Sequence, residues 1–135
     1  MVWKATDLFL EASMIPAFGM PAGYASIGTR NIFYRGFTQG TGGNGTLWWL
    51  YWDPNTRSWR AGGELTGDVG APPVYQFTAL AGYYFPEEHS LHIDYMAGDL
   101  SRNIIEIYRN NDGWHKNNLS SSAHERAAAV DGPSG

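Results

Sequence analysis

The run Thr46-Leu47-Trp48-Trp49-Leu50-Tyr51-Trp52, closed by Asp53-Pro54-Asn55-Thr56, decides the fold. Aromatic and aliphatic residues in so short a run, stopped by a turn cluster, read as a β-strand. Alternation puts Trp48, Leu50 and Trp52 on one face and Leu47, Trp49 and Tyr51 on the other. Both faces are apolar, which suits a strand packed between neighbouring layers. Upstream, Asn31-Ile32-Phe33-Tyr34-Arg35-Gly36 is a second short run, and the Gly-rich residues 39–45 read as the hairpin loop joining the two.

The same design returns further along the chain. Trp3, Trp59 and Trp114 open related segments, Trp3-Lys4-Ala5-Thr6-Asp7-Leu8, Trp59-Arg60-Ala61-Gly62-Gly63-Glu64-Leu65 and Trp114-His115-Lys116-Asn117-Asn118-Leu119, set 56 and 55 residues apart. Pro21-Ala22-Gly23-Tyr24 is echoed by Leu80-Ala81-Gly82-Tyr83. A period of this length with a high aromatic and glycine content marks modular β-architecture, whose units must stack to bury their faces. The reading is all-β, with four antiparallel strands per copy near 23–28, 31–37, 46–53 and 58–65, then near 82–86, 90–96, 103–109 and 113–120. Residues 1–9 read as the last strand of a preceding unit, 21–66 and 80–121 as two units, and 122–135 as a connector to a next one. The stretches 9–20, 66–79 and 121–133 read as loops between units. Four antiparallel strands with one dominant Trp describe a β-propeller blade, and a ring needs roughly four to eight of them. The chain therefore reads as about two blades plus one extra strand, either part of a longer propeller or a homo-oligomer subunit.

Composition narrows the function classes. Net charge is −4 with scattered acids, so there is no basic stripe for nucleic acid. No apolar run approaches about 20 residues, so no membrane span is expected. No signal peptide is visible, which fits a cytoplasmic or non-classically exported chain. Cysteine is absent, and the four histidines lack close ligand spacing, so neither a metal nor another cofactor is expected. No nucleophile–base motif, phosphate loop or positioned carboxylate pair stands out, so the chain reads as a non-enzyme. Six Trp and eight Tyr exceed what a core of this size demands and suit a binding surface.

Gly23-Tyr24, Phe33-Tyr34-Arg35-Gly36, Leu47 to Trp52 and Gly113-Trp114-His115-Lys116-Asn117-Asn118-Leu119 together resemble the repeat of bacterial and fungal β-propeller lectins, the Photorhabdus-type lectins. These are related in architecture to the Aleuria-type fucose-binding lectins. The resemblance implies a non-catalytic carbohydrate-binding protein, with fucose or a related glycan held between blades. It implies an Arg and a Glu on sugar hydroxyls and an aromatic ring on the sugar's apolar face, chemistry that a guanidinium fork and a ring suit. Carried onto this chain, the candidate ligand-binding residues are Arg35, Glu106, Trp59, Trp114, Trp49 and Tyr108. Aligned on Tyr34 and Tyr95, the second copy has Met96 in place of Arg35. Aligned on Tyr51 and Tyr108, the first has Trp49 in place of Glu106. Each candidate also has an ordinary reading: the repeat tryptophans as inter-blade packing, Arg35 as a blade-edge ion pair, Glu106 as a solvated face, and Asp7, Asn117 and Asn118 as turn caps. The alternative function is a protein-interaction scaffold whose sugar sites have eroded.

Overall fold

The computed structural model describes residues 5–13, 22–26, 29–37 and 40–123. Strands β1 (Ala22–Ser26), β2 (Thr29–Gly36), β3 (Thr46–Asp53) and β4 (Ser58–Glu64) form one antiparallel sheet in sequential order. Strands β5 (Ala81–Phe85), β6 (Ser90–Met96), β7 (Ile104–Asn110) and β8 (Gly113–Asn118) form a second sheet of the same order. The fold is all-β, two four-stranded meanders packed face to face, with β1 alongside β5. Strands expected near 23–28 and 103–109 are each displaced by about a residue, and residues 27 and 28 lie outside the described residues.

Register explains why the sheets stack. Phe33 pairs with Trp49, Arg35 with Leu47 and Asn31 with Tyr51, so these six share one face of the first sheet. In the second sheet Ile93 pairs with Ile107 and Tyr95 with Ile105. The two faces meet in one core of Phe33, Leu47, Trp49, Ile93, Tyr95, Ile105 and Ile107, sealed by Leu65 and Val74. Trp49 packs at its cleft side, parallel to Phe33 (6.3 Å, 6°) and edge-on to Trp114 of the other sheet (5.1 Å, 73°). Phe33 also meets Trp114 edge-on at 6.1 Å. Such aromatic pairs contribute about 0.5–1.5 kcal/mol each beyond their burial.

The Trp49 ring needs room over β4. The β3–β4 pairing slips between Trp49 and Leu50, leaving an extra residue at Gly62. A Cβ built on Gly62 would fall 2.2 Å from the Trp49 ring. Gly63 follows at φ +110°, a conformation that glycine adopts without strain.

The connectors depart from expectation. Each described strand-to-connector junction opens a short helix: α1 (Leu8–Ala12), α2 (Leu65–Val69) and α3 (Leu119–Ser122). The cause is a repeated cap. Asp7 Oδ1 accepts the Leu10 N–H (3.2 Å), the Glu64 carboxylate accepts the Gly67 N–H (2.9 and 3.0 Å), and Asn118 Oδ1 accepts the Ser121 N–H (3.0 Å). Thus Leu8 and its neighbours, read as the end of a strand spanning 1–9, are helical, and residues 66–69 are helix where a loop was expected. Asp7 and Asn118 cap helices, not turns. Trp3, the stretch 14–21 and residues 124–135 lie outside the described residues.

Gly62→Ala should destabilise the fold by about 1–3 kcal/mol by driving a methyl group into the Trp49 ring. Urea unfolding followed by Trp fluorescence checks this, and an unchanged midpoint would show that the ring has space to yield.

Candidate functional site

Hairpin ends from both sheets leave a cleft of about 820 Å³ between them. The first sheet lines it with Thr29, Asn31, Trp49, Tyr51 and Asp53, the second with Tyr84, His89, Leu91, Arg109 and Asn110. Core packing extends to this rim. Tyr51 leans on Trp49 (5.0 Å), and the Trp49 indole N–H donates to Asn31 Oδ1 (3.0 Å). The Arg109 guanidinium lies 5.4 Å from the Trp49 ring centroid. Asp53 Oδ1 accepts the Asn55 N–H (2.9 Å), while its Oδ2 lies 3.9 Å from the Arg60 guanidinium. Tyr84 and His89 approach each other at 3.4 Å. Apolar rings and hydroxyl, amide, carboxylate and guanidinium groups thus share one open concavity, a chemistry suited to a hydroxylated ligand.

The opposite face of the second sheet is built differently. Tyr83, His92, Tyr108 and His115 stack across its four strands at 4.8, 5.7 and 5.1 Å. His92 Nδ1 lies 3.0 Å from Glu106 Oε2 and Nε2 lies 2.7 Å from Ser90 Oγ. The Tyr83 hydroxyl donates to the same Glu106 oxygen (2.9 Å). Glu106 is consequently buried at 8% exposure, not a solvated side chain. Burial, and then the bond to Glu106, raise the Tyr83 hydroxyl well above its usual range. Asp94 sits directly across from Glu106. Burial, then the Glu106 carboxylate, raise its pKa from 3.8 to about 6, with His92 working against them. Its Oδ1 is buried without a hydrogen-bond partner among the described residues.

The hairpin ends align the two sheets: Trp59 pairs with Trp52 where Trp114 pairs with Arg109. Counting back, Tyr51 matches Tyr108, Trp49 matches Glu106, Phe33 matches Asp94 and Asn31 matches His92. The same positions that fill the core in the first sheet carry a hydrogen-bonded acid–imidazole cluster in the second. A smaller cavity of about 410 Å³ there is lined by Glu88, Ser90, His92, Glu106, Tyr108, Asn110 and Asn117.

Of the six candidates named from sequence, only Trp49 lines the cleft. Trp114 packs between the sheets. Trp59 meets Trp52 edge-on (5.9 Å) under the Arg30 guanidinium, on the first sheet's other face. Arg35 donates to the carbonyls of Asn44 and, at 3.4 Å, Gly43, where it holds the Gly-rich hairpin; burial lowers its pKa. Glu106 and Tyr108 face away from the shared core, so Arg35 and Glu106 do not converge. Sequence reasoning passed over Tyr51, Tyr84, His89 and Arg109. One signal was present: alignment on Tyr51 and Tyr108 sets Arg109 against Trp52, a charge in an aromatic position. No family model, curated protein or solved structure matches the chain.

The raised Asp94 carboxyl has a definite pH consequence. Its folded value lies above its unfolded one, so the folded chain holds this proton more tightly. The stability this brings is full below pH 3.8 and is lost as the pH rises through about 6. Asp94→Asn, uncharged throughout, should flatten that decline and raise the melting temperature at neutral pH, with little effect near pH 4. Melting curves across the range test this; a variant curve parallel to the native one would refute it.

Proposed function

We propose that the chain is a non-catalytic, carbohydrate-binding segment of a β-propeller, with the glycan held in the inter-sheet cleft. The observation that carries this reading is the cleft itself: Tyr51 and Tyr84 from facing sheets, with Arg109, Asn31, Asn110 and Thr29 around them. Rings cover the C–H face of a sugar while amides and the guanidinium take its hydroxyls. Two stacked four-stranded meanders are what neighbouring propeller blades look like. The second sheet's far face leaves Tyr83 and Phe85 41% and 43% exposed. Another sheet of the same kind, from a second copy or from a longer propeller, suits that face.

A hydrolytic role is less well supported. Ser90, His92 and Glu106 have the bond order of an acyl-transfer triad. Ser90 is only 2% exposed, however, and Tyr83 occupies the same Glu106 oxygen, so the network reads as cross-strand support. The scaffold alternative draws on one observation: Arg35 is bonded to carbonyls within its own hairpin and Glu106 to Tyr83 and His92, so the pair linked to fucose by resemblance is internally engaged.

The test is a glycan array with fucosylated, galactosylated and mannosylated arms, run on the native chain and on Tyr51→Ala. The native chain should bind a defined glycan set, and Tyr51→Ala, folded by circular dichroism, should lose roughly fivefold to tenfold in affinity, as expected for a lost ring contact of about 1–1.4 kcal/mol. A folded native chain that binds no glycan would favour the scaffold.

A further inference from the structure

We propose that the inter-sheet cleft selects an anionic saccharide, one carrying a sulfate or a carboxylate, and that Arg109 reads the charge. The inference rests on the carbohydrate reading above and assigns its ligand class.

The charged groups on the cleft wall are few. Asp53 is one, but a backbone N–H holds one of its oxygens and Arg60 stands 3.9 Å from the other, so its charge is partly offset. Arg109 is the other, and it differs. Among the described residues it forms no ion pair and no side-chain hydrogen bond. Its guanidinium instead lies against the Trp49 ring, 5.4 Å from the centroid. A guanidinium set against an aromatic ring keeps its N–H groups available, and their fork matches two oxygens of a sulfate or carboxylate. Asn110 stands next to it in the chain. Its Oδ1 already accepts the Asp112 N–H (2.9 Å) and faces His115 Nε2 (3.0 Å), which leaves its amide N–H₂ as a donor.

The surroundings sharpen the contrast. The acids of the second sheet, Asp94 and Glu106, occupy the face turned away from the cleft, and Glu88 lines the cavity on that side. The chain as a whole carries −4. An anion is therefore disfavoured over much of the surface and favoured at Arg109. A neutral sugar would leave that guanidinium without an anionic partner.

The experiment is an array of matched glycans, each present as neutral, sulfated and uronate-containing forms, probed with the native chain, Arg109→Gln and Arg109→Lys at two salt concentrations. Anionic members should bind about tenfold or more tightly than their neutral counterparts, consistent with a charge-assisted hydrogen bond. Arg109→Gln should bring the anionic members down to the level of their neutral counterparts, a larger loss than it causes on the neutral arm, and Arg109→Lys should retain part of the preference. Raising the salt should weaken the anionic arm alone. The sulfated and uronate arms identify which acid is preferred. Neutral glycans bound as well as anionic ones, with Arg109→Gln silent, would overturn the inference and leave the carbohydrate reading standing. A folded chain that binds no member would overturn both.

Discussion

The packing of Trp49 against the second sheet is the contact on which the rest depends. Its ring meets Phe33 on its own sheet and Trp114 on the other. It lies flat only because Gly62 has no side chain beneath it. A sheet with an apolar face buries it against another element, so this contact is also what joins the two sheets. It sets the spacing of the sheets, and the spacing sets the width of the cleft at their rim. Tyr51 and Arg109 reach that cleft because both lean on Trp49.

Matched positions in the two repeats have diverged in chemistry while keeping the backbone. Phe33 and Trp49 correspond to Asp94 and Glu106, and Asn31 to His92. The first set is buried by another sheet and is apolar except for Asn31, whose Oδ1 accepts the Trp49 indole N–H while its Nδ2 is buried without a hydrogen-bond partner among the described residues. The second set lies on a face with no described sheet against it, where polar groups are tolerated. There the four-ring stack and the bonds to Glu106 brace the strands from within. The Asp94 carboxyl, with one oxygen unbonded beside another carboxylate, is the weak point of that arrangement.

Short helices complete each unit through one recurring device. Asp7, Glu64 and Asn118 differ in side chain, yet each presents an oxygen to a backbone N–H three residues on. The following Leu65 then drops into the core at 0% exposure. Strand, cap and helix thus belong to the repeat as much as the tryptophan does.

The strands were legible in the chain because period-two alternation and turn clusters are local signals. The β3 run Thr46–Asp53 and the faces of Trp48, Trp49 and Glu106 follow from them alone. The two described sheets share one sequential strand order. The helices at Leu8, Leu65 and Leu119 were hidden because four or five residues carry too little periodicity to compete with a preceding strand. The site was hidden for a different reason. Arg35 and Glu106 stood out by resemblance, but which face meets which sheet depends on stacking, and stacking turned them apart. It brought Tyr51, Tyr84 and Arg109 together instead, residues far apart in sequence whose meeting no local pattern encodes. The chain by itself determined where its strands run and which side chains share a face. Only the packing of one sheet on the other decided which of those side chains would share a cleft, because that depends on how two apolar surfaces fit.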